Sequence, residues 1–154
     1  MSSREAKLEL LGYPLGKRTP EGPLVDPLAI TGNVLYASGQ VPFDGDRLTS
    51  KGKVPSQVSQ EEAINAAALC AANVFRSVSA HLGSLDKIRR IVRITGYVNA
   101  DSNFTDCHLV INGASRLARE VFGEDGRHAR TALAMTQLPL GASVEVEMIF
   151  ELKS

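Results

Sequence analysis

The chain has 154 residues, the length of one domain, and its 17 Lys and Arg balance 17 Asp and Glu. With 44% hydrophobic and 22% charged residues it has globular proportions: enough apolar residues for a core, too few charges for disorder. Zero net charge argues against a general nucleic-acid binder, which needs surplus Lys and Arg to displace counterions, and 5% aromatics leave little for stacking bases.

The N-terminus, MSSREAKLELLGYPLGK, carries charges throughout and has no long apolar run, so neither a signal peptide nor a membrane anchor is expected. No run of about 18 apolar residues occurs anywhere, and no transmembrane helix is expected. Residues 5–11 predict a short helix stopped by Gly12. The Pro- and Gly-rich stretch 13–27 predicts an irregular lead-in. LAIT, Gly32-Asn33 and VLYASG then read as a hairpin. Residues 39–52 are turn-rich, with room for a short strand at most.

A long helix is predicted from about Ser59 to Leu82. Ser59-Gln60-Glu61-Glu62 is a capping box, in which the Ser side chain and the Glu three residues on satisfy free amides. Ile64, Ala67, Ala68, Ala71, Val74, Phe75, Val78 and Leu82 form a stripe at helical spacing, and Gly83 stops it. The β-branched KIRRIVRITGYV follows as a strand ending at Asn99-Ala100-Asp101. A second helix is predicted from about Phe104 to Phe122, with Leu109, Leu117 and Val121 inward, followed by a loop bracketed by Gly123 and Gly126. ARTALAMTQL and SVEVEMIFEL are the last two strands.

The final strand alternates. Val144, Val146, Met148 and Phe150 point one way, and Glu145, Glu147, Ile149 and Glu151 the other. The first set suits packing under helices; the second predicts a face partly solvated or lining a cleft. The order β-β-α-β-α-β-β predicts an α+β sandwich of two layers, both helices on one face of an antiparallel sheet. The uncovered face predicts association with neighbouring subunits.

Cys70 falls in an apolar helical run and reads as a small buried thiol. Cys107 stands beside His108, but adjacent helical residues point in different directions, which disfavours a catalytic dyad. His81, His108 and His128 lack metal-ligand spacing, so no metal site is expected. The expected location is cytoplasmic.

Three segments in register carry a resemblance. Leu35 to Pro42 reads LYASGQVP, similar to a strand ending S-G-Q-[IV]-P. Ala129-Arg130-Thr131 is followed by Leu138-Pro139, and then by Val144-Glu145-Val146-Glu147. Together these resemble the Rid family, the reactive intermediate deaminases also called YjgF-like or endoribonuclease L-PSP-like proteins. The order of elements agrees over residues 24–152, with 1–23 as an N-terminal extension to a single domain of 1–154. That extension and the phrases NGASRL and VFGEDGRHAR resemble a longer branch of the family.

The resemblance implies a chorismate-mutase-like fold and a homotrimer with clefts between subunits. It implies hydrolysis of 2-aminoacrylate-like imines and enamines to 2-oxo acids and ammonia, with no cofactor and a small carboxylate-bearing ligand as partner. In the family an arginine matching Arg130 binds the substrate carboxylate, and a glutamate matching Glu145 positions water or relays a proton. The loop matching Ser38-Gly39 lines the cleft, and a family asparagine is matched by Asn112. His128 and Glu147 stand beside these as further candidates, His128 for an acid/base group or a loop cap, Glu147 for an interface charge.

The residue types suit the chemistry. A guanidinium holds a carboxylate with two parallel hydrogen bonds, and one carboxyl group of raised pKa can deliver a proton and activate water. The bland alternative is that Arg130 and Glu145 form a cross-strand ion pair serving a subunit interface. Where the family has a cysteine two residues after the arginine, this chain has Ala132; where it has a tyrosine after G-P, this chain has Leu24. Both changes predict a more apolar cleft. Two other functions stand beside deaminase: a non-enzymatic trimer binding a small carboxylate metabolite, and a ribonuclease or translation inhibitor, which the neutral charge disfavours.

Overall fold

A computed structural model describes residues 3–16 and 24–154. The part of the irregular lead-in at 17–23, Gly22-Pro23 included, lies outside the described residues. The first helix, α1 (Arg4–Leu10), is capped by the Ser3 hydroxyl, which accepts from the Ala6 amide. The expected hairpin is β1 (Leu28–Thr31) and β2 (Val34–Gln40), in antiparallel register across Gly32-Asn33. The turn-rich stretch folds into a second, two-residue hairpin, β3 (Phe43–Asp44) and β4 (Arg47–Leu48).

Helix α2 (Gln60–Leu82) starts at the predicted capping box: Ser59 Oγ accepts from the Glu62 amide and Glu62 reaches back to the Ser59 amide. It ends at Gly83, whose φ of 83° is a left-handed conformation that glycine adopts without a Cβ penalty. Strand β5 (Ile88–Asn99), helix α3 (Cys107–Phe122), β6 (Ala129–Met135) and β7 (Val144–Leu152) complete the chain. Helix α3 begins three residues later than expected, because the Phe104 amide closes a turn onto the Asp101 carbonyl first. Its buried side is Val110, Ile111, Ala114, Leu117 and Val121, whereas Leu109 is only half-buried.

The five strands form one sheet in the order β1-β2-β7-β5-β6. The sheet is mixed, not antiparallel as the sequence suggested: β5 and β6 run parallel, joined by the crossover helix α3. Helices α2 and α3 cover one face, over Leu35, Ile91, Ile94, Val98, Val144, Val146, Met148 and Phe150. This is the predicted α+β two-layer architecture, with α1 as an additional short helix packed on α3. The alternation read in the last strand holds, since its four apolar residues are buried and Glu145, Glu147 and Ile149 lie on the open face.

Two glycines let the layers approach. A Cβ at Gly96 would lie 2.4 Å from Ile111 Cδ1, and one at Gly113 would lie 1.9 Å from the Ile64 carbonyl oxygen. Helix α3 is therefore seated tightly on both β5 and α2. Helix α1 is fastened by charge. Arg4 is buried, donates to the Leu85 and Ile88 carbonyls, pairs with Asp125 at 2.7 Å and lies 4.5 Å above the Phe122 ring. Among the described residues no helix is long and apolar enough to cross a membrane.

Candidate functional site

The register decides which candidate residues share a face. Arg130 lies beside Ile94 on β5, and Ile94 is buried under the helices. Glu145 lies beside Tyr97 on the other side of β5, three residues along. Successive residues of a strand alternate faces, so an odd spacing puts the two on opposite sides. With β5 between their strands as well, Arg130 and Glu145 are not a cross-strand pair within one chain. The candidate residues therefore fall into two separate candidate half-sites.

The first half-site surrounds Glu145. A β-bulge between Ala37 and Gln40 in the β2–β7 pairing carries Ser38 and Gly39, and bulges of this kind bend a strand and redirect its side chains. A Cβ on Gly39 would fall 2.3 Å from Glu145 Oε1. The glycine thus forms the floor on which the carboxylate lies. The Ser38 hydroxyl donates to the Asp26 carbonyl at 2.7 Å and its amide to the Pro27 carbonyl at 2.9 Å, so Ser38 holds the strand edge in place. Half-burial raises the Glu145 pKa, and the neighbouring charge of Glu147 raises it further. Glu147 is exposed and accepts from the Tyr97 hydroxyl at 3.1 Å.

The second half-site surrounds Arg130. Its Nη1 donates to Asn112 Oδ1 at 2.8 Å and to Ser115 Oγ at 3.1 Å, and its Nη2 to the His108 carbonyl at 3.3 Å. Asn112 and Ser115 stand three apart on α3 and so lie on one side of it. Burial lowers the Arg130 pKa, but a guanidinium remains charged at any pH of interest. His128 bridges Gly126 and Ser115, and burial lowers its pKa from the ordinary imidazole value. Ala132, the residue standing for the family cysteine, lies on the same face of β6, half-buried beside Gly96. Leu24, standing for the family tyrosine, is 94% exposed.

The sequence reading missed Ser115 and Tyr97. The i, i+3 spacing from Asn112 would have indicated Ser115; Tyr97 depended on knowing that β5 lies beside β7. The cysteines carry no reactive signature. Both are buried, burial pushes both thiols up, and Cys70 donates to the Val144 carbonyl. Cys107 is buried and His108 exposed, so they make no dyad. Among the described residues no cluster of three metal-ligating side chains occurs. A cavity of about 590 Å³ between α2, Tyr13 and the loop at 49–51 contains none of the candidate residues.

Comparison with known proteins agrees with this architecture. The family model described as "YjgF/chorismate mutase-like, putative endoribonuclease" matches residues 12–152. Protein TCP17 of Trypanosoma cruzi is 37% identical over 150 residues, covering 97% of this chain and 94% of that protein. The crystal structure of Atu1372, a protein of unknown function from Agrobacterium tumefaciens, is 43% identical with a TM-score of 0.90, covering 98% of this chain and 92% of the other. A "putative endoribonuclease" from Shewanella oneidensis is 28% identical with a TM-score of 0.93, covering 98% and 100%. A cover of 98% cannot omit all seven residues of α1, so both matches reach into this helix. The mixed sheet under two helices, the motifs in register and these matches together place the chain in the YjgF-like Rid family.

Proposed function

We propose that the protein is an imine and enamine deaminase that hydrolyses 2-aminoacrylate-like intermediates to 2-oxo acids and ammonia. The site would form between neighbouring copies in a homotrimer, Glu145, Gly39 and Ser38 from one and Arg130 and Asn112 from the next. The observation that carries this reading is Glu145: a half-buried carboxyl on a glycine floor with its pKa raised, the property an acid/base group needs near neutral pH.

The steps balance with this one group. The substrate carboxylate docks on Arg130, which neutralises the guanidinium and leaves Glu145 to the influence of burial and Glu147. Protonated Glu145 gives its proton to C3 of the enamine, forming the iminium. Its carboxylate then takes a proton from water as the oxygen bonds to C2, giving a carbinolamine. The same proton passes to nitrogen, the C–N bond breaks and ammonia leaves. The hydroxyl proton returns to Glu145 as the C=O forms. Positioning by Arg130 supplies the rest, because such substrates already hydrolyse slowly in water.

The test supplies 2-aminoacrylate from a serine dehydratase and follows ketoacid release. Wild type should accelerate release; Glu145→Gln should remove the acceleration, and Arg130→Ala should cut it by about 100-fold or more, the cost of a lost charged anchor. If Arg130→Ala matches wild type, the assignment fails. Pyruvate binding that needs Arg130, without any acceleration, would instead identify a binding module. RNA binding at physiological salt would point to the nuclease reading.

A further inference from the structure

His128 stands two residues before Arg130, and its imidazole is engaged at both nitrogens. Nδ1 is 2.7 Å from the Gly126 carbonyl oxygen and Nε2 is 2.9 Å from Ser115 Oγ. A carbonyl oxygen only accepts, so Nδ1 carries the proton. Burial lowers the ring's pKa and outweighs the bond to Gly126, which raises it; the positive charges of Arg130 on β6 and Arg119 on α3 add to the lowering, so the neutral form is favoured. Arg119 and the neighbouring Arg127 are each paired with Glu124; Arg116 and Glu120 lie on the same side of α3 as Ser115. Nε2 of a neutral ring with Nδ1 protonated has a lone pair, and it accepts the Ser115 hydroxyl proton.

That bond gives the Ser115 hydroxyl a direction. With its hydrogen committed to His128, the oxygen turns its lone pairs to Arg130 and accepts from Nη1 at 3.1 Å. Asn112 Oδ1 takes the second Nη1 hydrogen and the His108 carbonyl takes one from Nη2. Three of the five guanidinium N–H groups are thereby spent on α3. Among the described residues, the Nε hydrogen and one Nη2 hydrogen have no partner. Two donors are what a carboxylate takes in a bidentate contact.

We infer that His128 and Ser115 are positioning residues for Arg130, a directional hydrogen-bond chain that holds the guanidinium with two donors turned to a ligand carboxylate. The inference rests on the reading of Arg130 as the carboxylate anchor. It differs from a loop cap, in which only the bond from Nδ1 to Gly126 would matter. The two roles use different nitrogens and can be separated. Asparagine at 128 keeps a donor near the Nδ1 position and loses the acceptor at Nε2; glutamine keeps an acceptor near Nε2.

The measurement is pyruvate affinity by titration, with thermal stability recorded for each variant. Arg130→Ala should abolish binding. Ser115→Ala and His128→Asn should each weaken it by about three- to tenfold, the scale of one lost hydrogen bond. The double variant should be no weaker than the worse single one, since both cut the same chain. His128→Gln should retain affinity within about twofold. Alanine is a good helix former, so Ser115→Ala folds and tests the Ser115 link, while the two His128 variants test the link beyond it. Wild-type affinity in Ser115→Ala, or in His128→Asn with loss in His128→Gln, overturns the inference and leaves the anchor standing. No pyruvate binding by wild type, or binding that survives Arg130→Ala, removes the anchor and this inference together.

Discussion

Glu145 is the residue whose surroundings have the most consequences. Its carboxyl pKa lies above the ordinary 4.5, by burial first and by Glu147 second. From pH 4.5 up to that raised value the folded chain therefore holds more proton than the unfolded one. Stability must fall as pH rises through this window and stay lower above it. Glu145→Gln removes the term. The variant should match wild type near pH 4 and become the more stable of the two by neutral pH, as measured by urea unfolding at each pH. Equal stabilities at every pH would show that the carboxyl is not strained by its setting. This property was half legible in the sequence. The alternation from Val144 to Phe150 places Glu145 and Glu147 together on one face, which explains the like-charge contribution. The burial was not legible, because it comes from the bulge at Ser38-Gly39, on a strand about a hundred residues away in sequence.

Among the elements, α3 links the fold to the candidate site. It carries Asn112 and Ser115 to Arg130, and its height above the sheet is set where Gly113 meets the backbone of α2. A methyl group there would lie 1.9 Å from the Ile64 carbonyl oxygen, and main chain, unlike the end of a long side chain, cannot swing aside. The helices must part. Gly113→Ala should cost about 2–3 kcal/mol, the upper range for overpacking, and should weaken pyruvate binding because Asn112 and Ser115 move with the helix. Chemical denaturation and titration of the same variant check both halves. Helix ends marked by local chemistry, such as Ser59 with Glu62 and the stop at Gly83, were readable from the sequence. The parallel pairing of β5 with β6 was not, because their adjacency in the sheet was not legible, although the strand–helix–strand order was. Their shared direction follows from the crossover through α3, and with it the face on which Arg130 lies. Helix α1 was readable as a helix but not as a fixture: a buried Arg4 acquires its partners Leu85, Ile88 and Asp125 only in the folded chain.

For the molecule as a whole, the uncovered sheet face and the split between half-sites bear on the same question. Tyr36, Leu133 and Met135 are partly exposed on that face beside Ile149, an apolar surface suited to a neighbouring copy. If Glu145 of one copy works with Arg130 of the next around a closed ring, the interface is heterologous and each site needs one intact residue from each side. Two inactive chains can then repair one another. Glu145→Gln and Arg130→Ala should each lack deaminase activity alone. Co-expressed in equal amounts with different tags and purified through both, their mixed assemblies should regain activity. For random mixing, half of the copies offer an intact Glu145 and half an intact Arg130, so about a quarter of interfaces are competent. Tandem purification discards unmixed assemblies and raises that share to about a third in trimers. A site contained within one chain permits no such recovery, because every chain in the mixture lacks one of the two groups. Ketoacid release by the mixed preparation, set against each variant purified separately, therefore reports whether the two half-sites on opposite faces of this sheet meet only when copies associate.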